Sequence, residues 1–255
     1  MTLDSLYWQG IYRVWEEDKT SQTVFLEAVA KLRGMDVSVF KDTNAFFVPN
    51  DRYMEEFFGR QIKEEEFGCY SGDVCNWNNC LIVPVCNVAG KVAGFASFNP
   101  FKYAEAHETG DWTIHYYAYS PSSVFRKNRF LYMPERYYSN VLDSGYVVLV
   151  DGVFDAISLW AAGFHSAALM GSSISREILA LLRFVGRVIF IMDNDEAGYK
   201  VFGELRKHLN NVELFKQGYA KDADELLKGV CKEKFIKQLR HMVTARQCPI
   251  TLASF

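Results

Sequence analysis

The sequence predicts an α/β protein whose second half carries a parallel sheet, and three observations predict it. Val147-Val148-Leu149-Val150 and Val188-Ile189-Phe190-Ile191-Met192 are apolar, β-branched runs that stop abruptly at carboxylates and a glycine. Such runs suit strands buried on both faces, as in a parallel sheet. A helical pattern follows each, so strand and helix alternate from residue 146 onward, and right-handed crossovers turn that order into a parallel sheet. Residues 77–99 instead read as an antiparallel hairpin, which gives the first half a mixed α+β character.

The elements follow in order. Tyr7, Trp8, Tyr12 and Trp15 open the chain at partly helical spacing, and a helix over residues 24–33 closes at Gly34, well placed as a C-cap. Residues 51–66 read as a charged amphipathic helix with Tyr53, Phe57 and Phe58 on one side, an aromatic stripe of the core type. In the hairpin, Pro84 argues for an edge position or a bulge. Trp112 to Tyr119 offers another strand. From residue 146 the pattern reads strand 147–150, helix 155–162, strand 167–170, helix 176–184 capped by Ser175, strand 188–192, helix 197–209 and strand 212–215. The change of style near 140–146 divides the chain into residues 1–143, 144–235 and a carboxy-terminal helix or tail, 236–255. No internal repeat or low-complexity segment is present.

Composition narrows the class. Hydrophobic content of 49% and charged content of 23% describe a globular protein. No apolar run approaches the roughly 20 residues of a membrane span. The amino terminus lacks the basic start and apolar core of a signal peptide, so a cytoplasmic location is expected. Cys69, Cys75, Cys80 and Cys86 form no C-x-x-C pair, and Cys231 and Cys248 lie far away, so buried free thiols are expected rather than zinc. The five histidines show no ligand spacing. A net charge of −3 predicts weak intrinsic affinity for DNA.

The acidic clusters carry the chemistry. They are Asp151-Gly152 with Asp155, Asp193-Asn194-Asp195-Glu196-Ala197-Gly198, and Asp222-Ala223-Asp224. The carboxyl end of an open parallel sheet is where such folds place ligands. Carboxylates gathered there repel one another unless cations hold them, and hard divalent ions with oxygen ligands are the natural choice. Two such ions are the usual apparatus of in-line phosphoryl displacement. Asp193 and Asp195 have no evident structural purpose at the end of a buried strand. Asp222 and Asp224 serve equally well as turn or helix-cap residues, and Asp155 as a helix N-cap.

In this order, with Gly171-Ser172-Ser173 between, the clusters resemble the toprim fold of topoisomerases, DnaG-type primases and some nucleases. The hairpin with its G-K-V-x-G-F return, and Ser120-Pro121 through Phe125, Lys127, Leu131 and Tyr132, are similar to the catalytic core of DnaG-type bacterial and phage primases. The resemblance implies a toprim domain, a four-stranded parallel sheet flanked by helices, preceded by a mixed α+β subdomain. It implies synthesis of short RNA primers from ribonucleoside triphosphates on a single-stranded DNA template, in a bacterial cytosol or an infected host cell.

The implied metal set is Asp151, Asp193, Asp195, Asp222 and Asp224 around two Mg²⁺ or Mn²⁺ ions, with Asp151, Asp193 and Asp195 catalytic. Arg126, Lys127 and Arg129 are the implied nucleic-acid and triphosphate cluster, with Lys127 the foremost contact to template or triphosphate, although an ordinary solvated loop is the competing explanation. Three features depart from the family pattern. Asp151 stands where glutamate is usual. Asn78, Asn79 and Cys80 stand where basic residues are usual. No zinc module or P-loop helicase flanks the core, so a replicative helicase or a separate template-recognition protein is an expected partner. A toprim nuclease and a non-catalytic replisome or nucleic-acid-binding module are the alternative functions; a topoisomerase fits less well.

Overall fold

A computed structural model describes residues 5, 7–12, 19–49, 53, 70–71, 74–75, 77–120, 122, 125–135, 138–192, 195–216 and 222–245. Two four-stranded sheets organise it. The first is antiparallel, in the order β1 (Phe46–Val48), β2 (Cys80–Cys86), β3 (Val92–Phe98), β4 (Tyr117–Tyr119). The second contains β5 (Tyr146–Val150), β6 (Ser166–Ala168), β7 (Arg187–Phe190) and β8 (Val212–Leu214). Its order is β8-β7-β5-β6 and every pairing is parallel.

The helices are α1 (Lys19–Arg33), α2 (Ser38–Asp42), α3 (Pro100–Thr109), α4 (Tyr138–Ser144), α5 (Val153–Ala161), α6 (Arg176–Phe184), α7 (Glu196–His208), α8 (Ala223–Lys228) and α9 (Lys232–Thr244). None of the described helices is long and apolar enough to cross a membrane.

Because side chains alternate along a strand, each sheet feeds two cores. Leu81, Val83 and Val85 of β2 meet Val148 and Val150 of β5 in one cluster with Phe98 and Phe154. Cys80 and Ile82 turn the other way, toward Tyr7, Phe46, Trp77 and Phe95. Val147 and Leu149 of β5 pack on Val188, Phe190, Leu182 and Leu205. The shared cluster sets the two sheets against each other. At about 1.5–3 kcal/mol for each fully buried large aliphatic or aromatic side chain, it holds that arrangement firmly.

The predicted parallel sheet, its helices and the hairpin all appear. Ser175 caps α6 by accepting from Ile178 N, and Gly34 closes α1 at φ +65°. Other expectations change. Pro84 lies inside an interior strand, but β1 pairs only with residues 80–82 of β2, and a register shift follows at Val85/Cys86, so Pro84 sits beyond the last β1 pair. The strand expected over 112–119 shrinks to β4, because α3 and a turn precede it. Asn99 caps α3 by accepting from the Phe101 and Lys102 amides, Pro100 occupies its first turn, and Gly110 ends it at φ +70°. Asn-Pro and the later glycine were signals for this helix.

Residues 140–146 are the end of α4 and the start of β5, with Gly145 at φ +74° between them. Helix α9 runs across position 235/236 and buries Phe235 and Leu239 in the shared core. Apart from Tyr53, the helix expected over 51–66 lies outside the described residues, as does Trp15.

Candidate active site

The carboxyl ends of the parallel strands open onto a cleft of about 1070 Å³. Asp151 directly follows β5, and its carbonyl accepts from Met170 N at 3.0 Å. Gly152 is the N-cap of α5. A Cβ there would stand 2.4 Å from Asp155 Oδ2, so the glycine is what lets the Asp155 carboxylate fold back over the chain. Asp155 is therefore in the first helical turn rather than at the cap, and its Oδ1 accepts from Asp224 N at 3.1 Å.

Asp195 is the N-cap of α7. Its Oδ1 accepts from Gly198 N at 2.8 Å, and its other oxygen carries no bond among the described residues. Asp222 caps α8 in the same manner, accepting from Glu225 N at 2.8 Å. Asp193 lies outside the described residues.

Asp224 is placed differently from the other acids. It is buried, Oδ1 accepts from Ser158 Oγ at 2.8 Å, and Oδ2 meets Arg33 Nη2 at 3.0 Å and Lys228 Nζ at 2.6 Å. Two cations already neutralise it, and a metal ion would be repelled by both. Of the two expectations for Asp224, metal ligand or structural residue, the geometry favours the second, as an internal counter-ion instead of a helix cap.

Arg33 comes from the last turn of α1, and its side chain reaches across the cleft to Asp224 beside the parallel sheet. It is 4% exposed, and its guanidinium lies 5.3 Å from the Phe154 ring centroid, 5.4 Å from Tyr103 and 5.5 Å from Phe98. Burial disfavours its charge, but the surrounding negative charge, including Asp224 and Asp155, outweighs that and holds its pKa above the ordinary value. No motif marks Arg33 in the sequence; it appears as one more basic residue at a helix end.

The predicted basic cluster separates. Residues 127–129 form a 3-10 turn, whose three residues per turn point in three directions. Lys127 alone of the three lines the cleft. Its Nζ sits 4.2 Å from the Tyr119 ring centroid, and burial draws its pKa below the usual lysine range. Arg129 turns outward to Glu177 at 3.5 Å, with both side chains about half exposed. Arg126 is also exposed.

What delivers Lys127 is the segment around it. A Cβ on Gly94 would lie 2.4 Å from the Phe125 ring, so that glycine makes the seat for Phe125 on the hairpin. Beyond the turn, Tyr132 and Ala168 exchange backbone hydrogen bonds of 3.0 and 2.8 Å, joining the segment to the edge of the parallel sheet. Gly171, after β6, then lies against the Lys127 side chain.

The opposite wall is aromatic: Tyr103, His107, Trp112, Tyr116, Tyr117 and Tyr119. Burial, and then the charge of Asp155, push the Tyr119 hydroxyl up to about 12, so it stays neutral near pH 7.

Among the described residues, no group of three His, Cys, Asp or Glu side chains is arranged to hold a metal ion. Asp151 and Asp195 nevertheless follow neighbouring strands and line one cleft. Both are hard oxygen donors. That donor set suits Mg²⁺, which takes one or two carboxylates and keeps several waters.

Comparison with known proteins places the chain. Residues 148–227 match the family model described as Toprim-like. The DNA primase of Rickettsia felis is 28% identical over 179 residues, covering 66% of this chain and 29% of that protein. The DNA primase of Thermotoga maritima is 27% identical over 167 residues, 63% of this chain and 28% of that protein. The chain thus spans under a third of the length of the relatives it matches. Among solved structures, the RNA polymerase domain of Mycobacterium tuberculosis primase DnaG superposes with a TM-score of 0.67 at 18% identity, covering 93% of this chain and 83% of that one. A DnaG primase catalytic domain bound to ssDNA gives 0.68 at 19% identity, covering 93% and 80%.

Proposed function

We propose that this chain, which carries a toprim domain within the fold of the DnaG-type primase catalytic core, is a nucleotidyltransferase that makes short RNA primers on single-stranded DNA. The observation that carries it is the cleft itself: Asp151 and Asp195, from neighbouring parallel strand ends, face Lys127 delivered by the segment between the sheets. The DNA primases among its relatives support the same activity. The fold neighbour bound to ssDNA supports a single-stranded template.

Asp151, Asp193 and Asp195, joined by Asp222, are the residues to hold two Mg²⁺ or Mn²⁺ ions. Such ions, when bound, lower the pKa of a 3′-hydroxyl and neutralise charge developing at the α-phosphate. The chain's own residues position the groups. The α7 cap bond fixes the Asp195 carboxylate before anything binds. Lys127, partly desolvated, gains most when a phosphate enters, because the anion restores the charge that burial disfavours. It contacts the triphosphate or the template backbone. The reaction joins the primer 3′-oxygen to the α-phosphorus of a ribonucleoside triphosphate and releases pyrophosphate.

On this basis residues 1–143 are the amino-terminal subdomain and 144–235 the toprim domain, with α9 carrying that domain on to Thr244. A helicase or a separate template-recognition protein recruits the chain in the cytoplasm.

The test is incubation with labelled ribonucleotides, Mg²⁺ and single-stranded template. Labelled oligoribonucleotides that vanish with a chelator are expected; template degradation without incorporation would overturn the proposal in favour of a nuclease. Replacing both Asp193 and Asp195 by Asn should lower synthesis by on the order of 10²–10³-fold. Asparagine caps helices about as well as aspartate, so the urea midpoint should hold. Unchanged synthesis would point to a site elsewhere.

A further inference from the structure

The aromatic wall of the cleft has no part in the chemistry above. Its rings touch in series: Trp112 to His107 at 5.0 Å, His107 to Tyr103 at 4.2 Å, Tyr103 to Tyr116 at 5.2 Å and Tyr116 to Tyr117 at 4.8 Å. Tyr117 is anchored on Phe98 at 5.4 Å and Phe154 at 5.6 Å. The inner end is therefore anchored on the core, yet both ends keep a face open to solvent. Trp112 is 62% exposed and Tyr117 is 42% exposed, and both line the cleft.

The Trp112 backbone is held in place. Gly110 ends α3 in the left-handed region, and Asp111 Oδ1 accepts from the Thr113 amide at 3.0 Å and its hydroxyl at 2.7 Å. A large indole presented to water on such a turn adds nothing to the core.

Charge says what it can meet. Among the described residues, six carboxylates line the cleft (Asp151, Asp155, Asp195, Asp222, Asp224, Glu225) against three cations (Arg33, Lys127, Lys228), and two of those cations are committed to Asp224. Attraction of a phosphate backbone to basic side chains, the usual source of nucleic-acid affinity, is therefore weak here. Stacking of bases on aromatic rings requires no positive charge and tolerates any sequence.

We infer that the wall ending at Trp112 and Tyr117 is a nucleobase-stacking platform that holds nucleic acid beside the carboxylates. This rests on the reading of the cleft as a nucleotidyl-transfer site.

The test uses the full chain and a fluorescein-labelled oligothymidylate of about 12 nucleotides. Trp112→Ala should weaken its binding about tenfold, the loss of one good stack, while Trp112→Phe stays near wild type. A strand of the same length made of abasic residues should bind weakly and equally to wild type and Trp112→Ala. Equilibrium dialysis with ATP separates the two sources of a base: weaker ATP binding assigns the platform to the incoming nucleotide, unchanged ATP binding to the strand. Oligothymidylate binding that survives Trp112→Ala, or a loss equal on the abasic strand, would overturn the inference. Primer synthesis by wild type is scored separately. Synthesis with no effect of Trp112→Ala on binding rejects the platform alone; loss of binding in a protein that makes no primers rejects the primase and keeps the platform.

Discussion

The two walls of the cleft are made in opposite ways. The toprim wall takes Asp151, Asp195 and Asp222 from short contiguous motifs at strand ends and helix starts, Asp195 and Asp222 each held by its own cap bond and Asp151 by the end of β5. The facing wall draws Arg33 from α1, Tyr103 from α3, Tyr117 from β4 and Lys127 from a 3-10 turn, residues spread over nearly a hundred positions. The first wall is a local construction that the fold merely presents. The second exists only once the sheets have packed. Damage should therefore differ in kind: on the toprim wall it removes chemistry and leaves the fold, and on the other it reaches the fold first.

The sharpest way to break that contrast is Arg33→Ala. It leaves Asp224 buried with one cation fewer, and stripping one partner from a buried ion pair costs about 3–5 kcal/mol. A urea titration should show that loss, and a midpoint close to wild type would mean that Arg33 does not tie the walls together. Next in size is Gly94→Ala. The added methyl collides with the Phe125 ring, an overpacking worth about 1–3 kcal/mol, and the displaced segment carries Lys127 away from the cleft. Stability and primer synthesis should fall together; a fall in neither would mean that Phe125 moves aside freely. The smallest effect is expected for Arg129→Ala, which removes a half-exposed pair with Glu177 worth at most about 1 kcal/mol. Synthesis should be unchanged, and a large drop would show that Arg129, and not only Lys127, serves the site.

Much of the parallel-sheet half, and the helix end and hairpin of the other half, were legible residue by residue. Apolar runs ending in carboxylates fixed the strands, Ser175 and Gly34 marked helix ends, and the hairpin announced itself through Gly90 and its flanks. The misses share a cause. Helix α3 was missed although Asn99-Pro100 already marked its start, and the strand read over Trp112 to Tyr119 took in the turn that follows it. Pro84 called for an edge or a bulge and meets both conditions inside an interior strand, because β1 stops short of it and a register shift follows at Val85/Cys86, neither of which can be read locally. Lys127 could be singled out among Arg126, Lys127 and Arg129 only by resemblance, since the direction of each side chain depends on a turn held by Phe125 and Tyr132. Asp224 was indistinguishable from its acidic neighbours until Arg33 arrived from far away in the chain.

By itself, the sequence determined which residues end the parallel strands and hence where hard, negatively charged ligands gather, because strand period and turn chemistry are local. The tertiary structure alone decided which of those carboxylates are already neutralised, which cation reaches the cleft and which aromatic rings line it. Those outcomes depend on burial and on partners distant in the chain, and no spacing in the sequence encodes either.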